Sequence, residues 1–231
     1  VYVDIKTSDI GGYVAEAKQV VKAQVQIPPG YTLVWSGQFE YMERAAERLR
    51  IVVPVTLLVI FLLLFFNFRN ITEPLVVMLS IPFGLIGGFW LVYWLGFNIS
   101  VAVAVGFIAL AGVAAEIGVL VLTFIDHEIA RRRRGGGHLS SEEIMTAVFT
   151  GTAERVRPIV MTATAIIAGL LPIMWGSGTG SSVMQRIAAP MVGGMATVTI
   201  LSLLVLPVIY GLVLQVQERK IRRCTENELS N

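Results

Sequence analysis

Charge is scarce in this chain, and its scarcity decides the class. Only 15% of the 231 residues are charged, against about 25% in an average soluble protein, while 55% are hydrophobic. A soluble enzyme with a solvated surface is excluded. Cysteine is nearly absent: Cys224 stands alone near the end of the chain, so no disulfide framework can form within it. Histidine is almost as rare. His127-Glu128 opens an H-E-x-x-H string, but Arg131 takes the place of the second histidine, and the zinc-protease pattern fails. The long apolar runs hold no Asp or His in their interiors, which removes the ligands and bases an intramembrane hydrolase needs. The stretch GSGTGSS at 176–182 lacks the Gly-Lys-Ser/Thr ending of a phosphate-binding loop. No nucleotide chemistry and no enzyme activity is expected.

What is present is apolar sequence in long runs. Residues 51–66, 74–95, 101–125, 158–175 and 187–213 can each cover a hydrocarbon core of about 30 Å as helices. The fold expected is mostly α, a polytopic bundle of five transmembrane helices. Gly84, Gly87 and Gly88 in the second run and Gly193 and Gly194 in the fifth suit close helix packing. Trp90, Tyr93 and Trp94 fall near a span end, as an interfacial belt does.

Residues 1–38 have a different texture. Val1, Val3 and Ile5 alternate with Tyr2, Asp4 and Lys6, a strand pattern. A helix carrying Val14, Ala17, Val21 and Val25 follows, stopped by Pro28-Pro29-Gly30, and 31–35 reads as a second strand. This β-α-β unit is too small to bury a core by itself. No signal-peptide pattern opens the chain, and a strand pattern beginning at Val1 suggests a piece of a larger protein. A charged helix over 39–50 then runs into the first span, with Arg50 at the junction. The stretch 126–157 reads as a polar loop with a capping pattern SSEE at 140–143, and 218–231 as a basic tail.

Basic residues are asymmetric. Arg69, Arg131 to Arg134, Arg155, Arg157 and the tail lie at one set of span ends, whereas the turns at 96–100 and 176–186 hold only Arg186. The positive-inside rule makes the first set cytoplasmic, so 1–50 is expected on the periplasmic side of a bacterial inner membrane. The four consecutive arginines are read as an anchor against anionic lipid, and no nucleic acid is expected as a partner.

Two features could carry chemistry. Glu116 is the one ionisable side chain within 101–125, and a carboxyl at such depth is costly unless it has a role or a partner. Small residues surround it: Gly106, Ala109, Ala111, Gly112, Ala114, Ala115 and Gly118. It is read as a proton-handling group, with interhelical polar glue in a non-transporting scaffold as the alternative. The second feature is methionine. Met161, Met174, Met184, Met191 and Met195 gather in the last two spans and their turn. Thioethers suit soft ions such as Cu(I) and Ag(I), although methionine is also an ordinary core filler. Met161, Met174, Met191 and Met195 are kept as weak metal candidates.

Several strings resemble the resistance-nodulation-division efflux permeases. GYTLVWSGQFEYMERA is similar to the end of a periplasmic porter subdomain in that family. GFIALAGVAAEIGVLVLTFID, RVRPIVMTATAIIAGLLPIMWGSGTGS and RIAAPMVGGM resemble its heavy-metal branch, the copper/silver type most. The resemblance implies the last five of twelve spans in a proton-driven antiporter without a cofactor. It also implies partners: the remainder of the permease, two further copies in a homotrimer, a periplasmic adaptor and an outer-membrane channel. By the same resemblance Glu116 and Thr162 fall on a proton relay. Ile159 stands where copper- and silver-exporting members carry lysine and divalent-metal members an apolar residue. Zinc, cobalt or cadmium export, and drug export, therefore stay open as alternatives.

Overall fold

A computed structural model describes Val3, residues 10–25, Pro28, Gly30, 32–134 and 140–229, excepting the side chains of Ile10, Gln38 and 219–229. The described residues form α1 (Ile10–Gln24), α2 (Gln38–Phe68), α3 (Thr72–Trp94), α4 (Val101–Arg133), α5 (Ser141–Trp175) and α6 (Ser181–Leu229). Among them, α2 to α6 are long and apolar enough to cross a membrane. The chain is a helical membrane bundle.

Local sequence sets the helix ends. Gly37, at φ 99°, precedes α2, and Arg69 closes it in the left-handed conformation, its amide donating to the Phe65 carbonyl at 2.8 Å. The Ser100 hydroxyl accepts from the Val103 amide at the start of α4. At α5 the expected capping box forms: the Glu143 amide donates to Ser140 Oγ (3.2 Å) and the Ser140 amide to Glu143 Oε2 (2.7 Å).

One expectation needs correction, and a second is met only in part. The polar stretch 126–157 is mostly helix, because α4 continues to Arg133 and α5 begins at Ser141. Ion pairs one turn apart hold the extension: Glu128 accepts from Arg131 (3.0 Å) and Arg132 (2.9 Å). The β-α-β unit is represented by α1 alone. Thr32 to Trp35 are irregular, and most of the first strand (1–7) lies outside the described residues, apart from an irregular Val3. A strand exists only by pairing, and no described residue pairs with 32–35.

The core lies where α3, α4 and α6 meet, with α5 against α4 and α6, and α2 on the margin beside α3 and α4. Val77, Leu110, Ala114, Val121, Leu122, Met195 and Val198 are fully buried there. Glycine makes the approach possible. A Cβ on Gly87 or on Gly193 would meet the other's carbonyl oxygen, and one on Gly194 would enter Leu110. At the same crossing the Thr197 hydroxyl donates within α6 to the Gly194 carbonyl at 2.9 Å and lies 3.4 Å from the Gly84 carbonyl of α3.

Candidate proton-relay site

Helix α4 has two faces of small residues, and they differ in what they meet. Gly106 and Gly118 face neighbours: an added Cβ would meet Ile187 and Pro190 of α6 in one case and Val77 of α3 in the other. Ala109, Gly112, Glu116 and Thr123 lie on the opposite face and are exposed. Their spacing of three, four and seven residues marks a single stripe. A Cβ on Gly112 would meet nothing. Glu116 therefore projects from a smooth, open strip of helix, and no described residue hydrogen-bonds or pairs with its carboxylate.

Thr162 lies at a similar depth. Gly151 of α5 touches the backbone of Ile125 in α4. From that contact, nine residues along α4 reach Glu116 and eleven along α5 reach Thr162, about 14 and about 17 Å at helical rise. The Thr162 side chain is exposed, and its hydroxyl donates to the Pro158 carbonyl at 3.0 Å. Ile159, one turn earlier, is buried in the core.

The methionine candidates differ in their surroundings, and Met191 is partly buried. Met195 is fully buried core, Met174 packs against the small cluster of Val92, Val103 and Ala189, and Met161 is exposed. Met161 and Met174 are thirteen residues apart on one helix, about 20 Å, too far to hold one ion together. Among the described residues no three His, Cys, Asp or Glu side chains gather as a metal site.

Sequence reasoning missed a second acidic group. At the arginine-bearing end, Tyr210 of α6 donates to Asp126 Oδ1 and its hydroxyl lies 3.4 Å from Glu73 Oε1 of α3. Asn70 Nδ2 donates to the same Glu73 oxygen at 3.1 Å. Four of the described arginines at this end are engaged elsewhere. Arg131 and Arg132 hold Glu128, Arg133 pairs with Glu218, and the Arg155 guanidinium lies 3.6 Å from the centre of the Phe124 ring. The available signal was Tyr210, the one tyrosine in the last apolar run.

Comparison with known proteins adds a frame. Residues 1–214 match the AcrB/AcrD/AcrF family. The chain is 46% identical over 215 residues to the cation efflux system protein CusA of Escherichia coli K12, covering 92% of this chain and 20% of that protein. It is 42% identical over 209 residues to the cobalt-zinc-cadmium resistance protein CzcA of Cupriavidus metallidurans, covering 90% and 19%. A crystal structure of a heavy metal efflux pump superposes with a TM-score of 0.75 at 32% identity, covering 92% of this chain and 20% of that one. The chain thus spans about a fifth of the length of these relatives.

Proposed function

Because this chain belongs to the AcrB/AcrD/AcrF family, we propose that it is the C-terminal transmembrane part of a bacterial inner-membrane permease that exports heavy-metal cations by proton antiport. The observation that carries the proposal is the placement of Glu116 on an open strip of alanine and glycine. Small residues let another helix approach closely, and the remainder of the permease is the source of that helix. Protonation removes the carboxylate's charge, so a packing that is costly with the anion becomes acceptable with the acid. A bundle with two packings then moves between them as the proton comes and goes.

The movement has a lever. Helix α2 is continuous from Gln38 to Phe68 through Arg50, so a tilt of its membrane part carries the segment before it. That segment, 1–38, completes a porter subdomain with strands from the rest of the permease. The working assembly is a homotrimer joined to a periplasmic adaptor and an outer-membrane channel, and Thr162 assists the relay by orienting a proton.

The cation we assign is Cu(I) or Ag(I), supported by GLLPIMWGSGTGS and RIAAPM. Ile159 favours the second reading, a divalent ion. A metal-sensitive strain carrying the full-length permease discriminates them. Growth restored in silver and copper, and not in zinc, cobalt or cadmium, is the expected result. Protection in the divalent salts alone would establish the second reading, and protection against none would remove metal export.

Orientation is testable separately. The arginine-bearing ends are assigned to the cytoplasm. With Cys224 replaced by serine, Thr32→Cys should react with a membrane-impermeant thiol reagent in intact spheroplasts, and Ser141→Cys only after lysis. Both positions are exposed in the described structure. The reverse labelling would invert the topology.

A further inference from the structure

Helices α3 and α6 run antiparallel, and their facing residues can be followed step by step. Gly87 meets Gly193, Gly84 meets Val198, and Glu73 meets Tyr210 at the arginine-bearing end. Ser80 and Ser202 fall between the last two pairs, near the middle of both spans, and both line one cavity between the helices. The cavity lies two turns of α3 beyond the glycine crossing.

The two hydroxyls differ in how they are used. A buried serine or threonine in a helix can return its hydrogen to a carbonyl about one turn back. Ser80 does so, donating to the Val77 carbonyl at 2.7 Å, and Thr152 and Thr199 do so at 2.8 Å to Val148 and Met195. Ser202 does not. It is 2% exposed, and its Oγ is buried without a hydrogen-bond partner among the described residues. A hydroxyl left unpaired at that depth is costly, because lipid tails offer nothing to bond. The Ser80 oxygen, its hydrogen already given to Val77, keeps lone pairs that can accept.

The cavity between them measures about 20 Å³. A single water needs at least about 10–15 Å³ and two or more polar partners. The space therefore suits one water and is far too small for a drug-sized ligand. Val76, Phe83, Leu206 and Ile209 give it apolar walls, and the two serines are its polar groups. We propose that Ser80 and Ser202 form a binding site for one structural water, which accepts the Ser202 hydrogen and donates to the Ser80 oxygen. The water joins α3 to α6 at mid-depth and leaves neither hydroxyl unpaired. Ser80 also lies 3.5 Å from the Ala114 carbonyl of α4, so the link sits where three helices meet. It is exchangeable, because a water can turn or leave as the helices shift, whereas the glycine crossing yields only if two backbones separate. The site is independent of Glu116 and of which ion is exported.

Electron cryomicroscopy of the full-length permease in lipid nanodiscs, at a resolution that shows ordered water, tests the site without any variant. The expected result is a single peak within hydrogen-bonding distance of both Ser80 Oγ and Ser202 Oγ. A Ser202 hydroxyl turned back onto the Val198 carbonyl, with no peak in the cavity, would overturn the site. A lipid chain or a side chain from the rest of the permease in that space would do the same. Hydroxyl-radical footprinting gives a second readout, since radicals formed at bound water mark the side chains beside it. Phe83 should be labelled in the wild type and lose most of that labelling in Ser202→Val, whose methyl groups fill the cavity. Ser202→Ala, which removes a partner without adding bulk, should lower it too. The exposed Trp94 should be labelled equally in all three proteins. Phe83 labelling that is the same in the wild type and both variants would contradict the proposal.

Discussion

Replacing Glu116 by glutamine in the full-length permease is expected to reduce metal resistance to that of cells carrying an empty vector, with membrane insertion and trimer assembly unchanged. Glutamine keeps the size of the side chain and its capacity for hydrogen bonds but cannot titrate. On the open strip of α4, where a Cβ at Gly112 meets nothing, the exchange costs this chain no packing. Glu116→Asp should retain partial resistance, because the carboxyl remains with a shorter reach. Thr162→Ala should be milder still, since its hydroxyl donates only to the Pro158 carbonyl in its own helix. A Glu116 that served as interhelical glue would give the opposite order: glutamine tolerated, and losses following protein level.

The second large effect belongs to the α3–α6 crossing. Gly193→Val should strip most of the folded protein from the membrane. A Cβ at Gly193 already meets the Gly87 carbonyl and the Leu91 side chain, so two backbones would have to separate. Overpacking costs roughly 1–3 kcal/mol where side chains can yield, and more where they cannot. Gly112→Val is the contrasting substitution. Its site is open, so the bundle should fold, and the defect should appear as failed activity in the full-length protein. Thermal unfolding in detergent and membrane abundance separate the two outcomes. Equal loss of folded protein in both would mean that the Gly112 face is packed and the distinction between the faces of α4 is mistaken.

The five spans were legible because each is a long apolar run, and the close crossing because small residues cluster in the second and fifth runs. Their outer extents were not. Past Ile125 the sequence turns polar, yet α4 continues, held by Glu128 and its two arginines one turn on. Polarity marks where a helix leaves the bilayer, not where it ends. The two faces of α4 were also hidden. Gly112 and Gly118 look alike in sequence, and only the placement of α3 shows that one is packed and the other open. The Glu73–Tyr210–Asp126 group is the hardest case, since its members are separated by 137 and 84 positions in the chain. No local pattern links them. The β-α-β reading is not shown among the described residues for a related reason, because alternation shows which face a strand would present and not whether a partner is there to pair with it.

The most direct measurement of the whole account is metal-driven proton flux in proteoliposomes containing the full-length permease, with the wild type and Glu116→Gln at matched protein levels. A pH-sensitive dye inside the vesicles reads the flux when silver is added under an imposed proton gradient. The account predicts silver-dependent flux from the wild type and none above the protein-free baseline from Glu116→Gln. Wild-type flux from the glutamine variant would remove Glu116 from the mechanism.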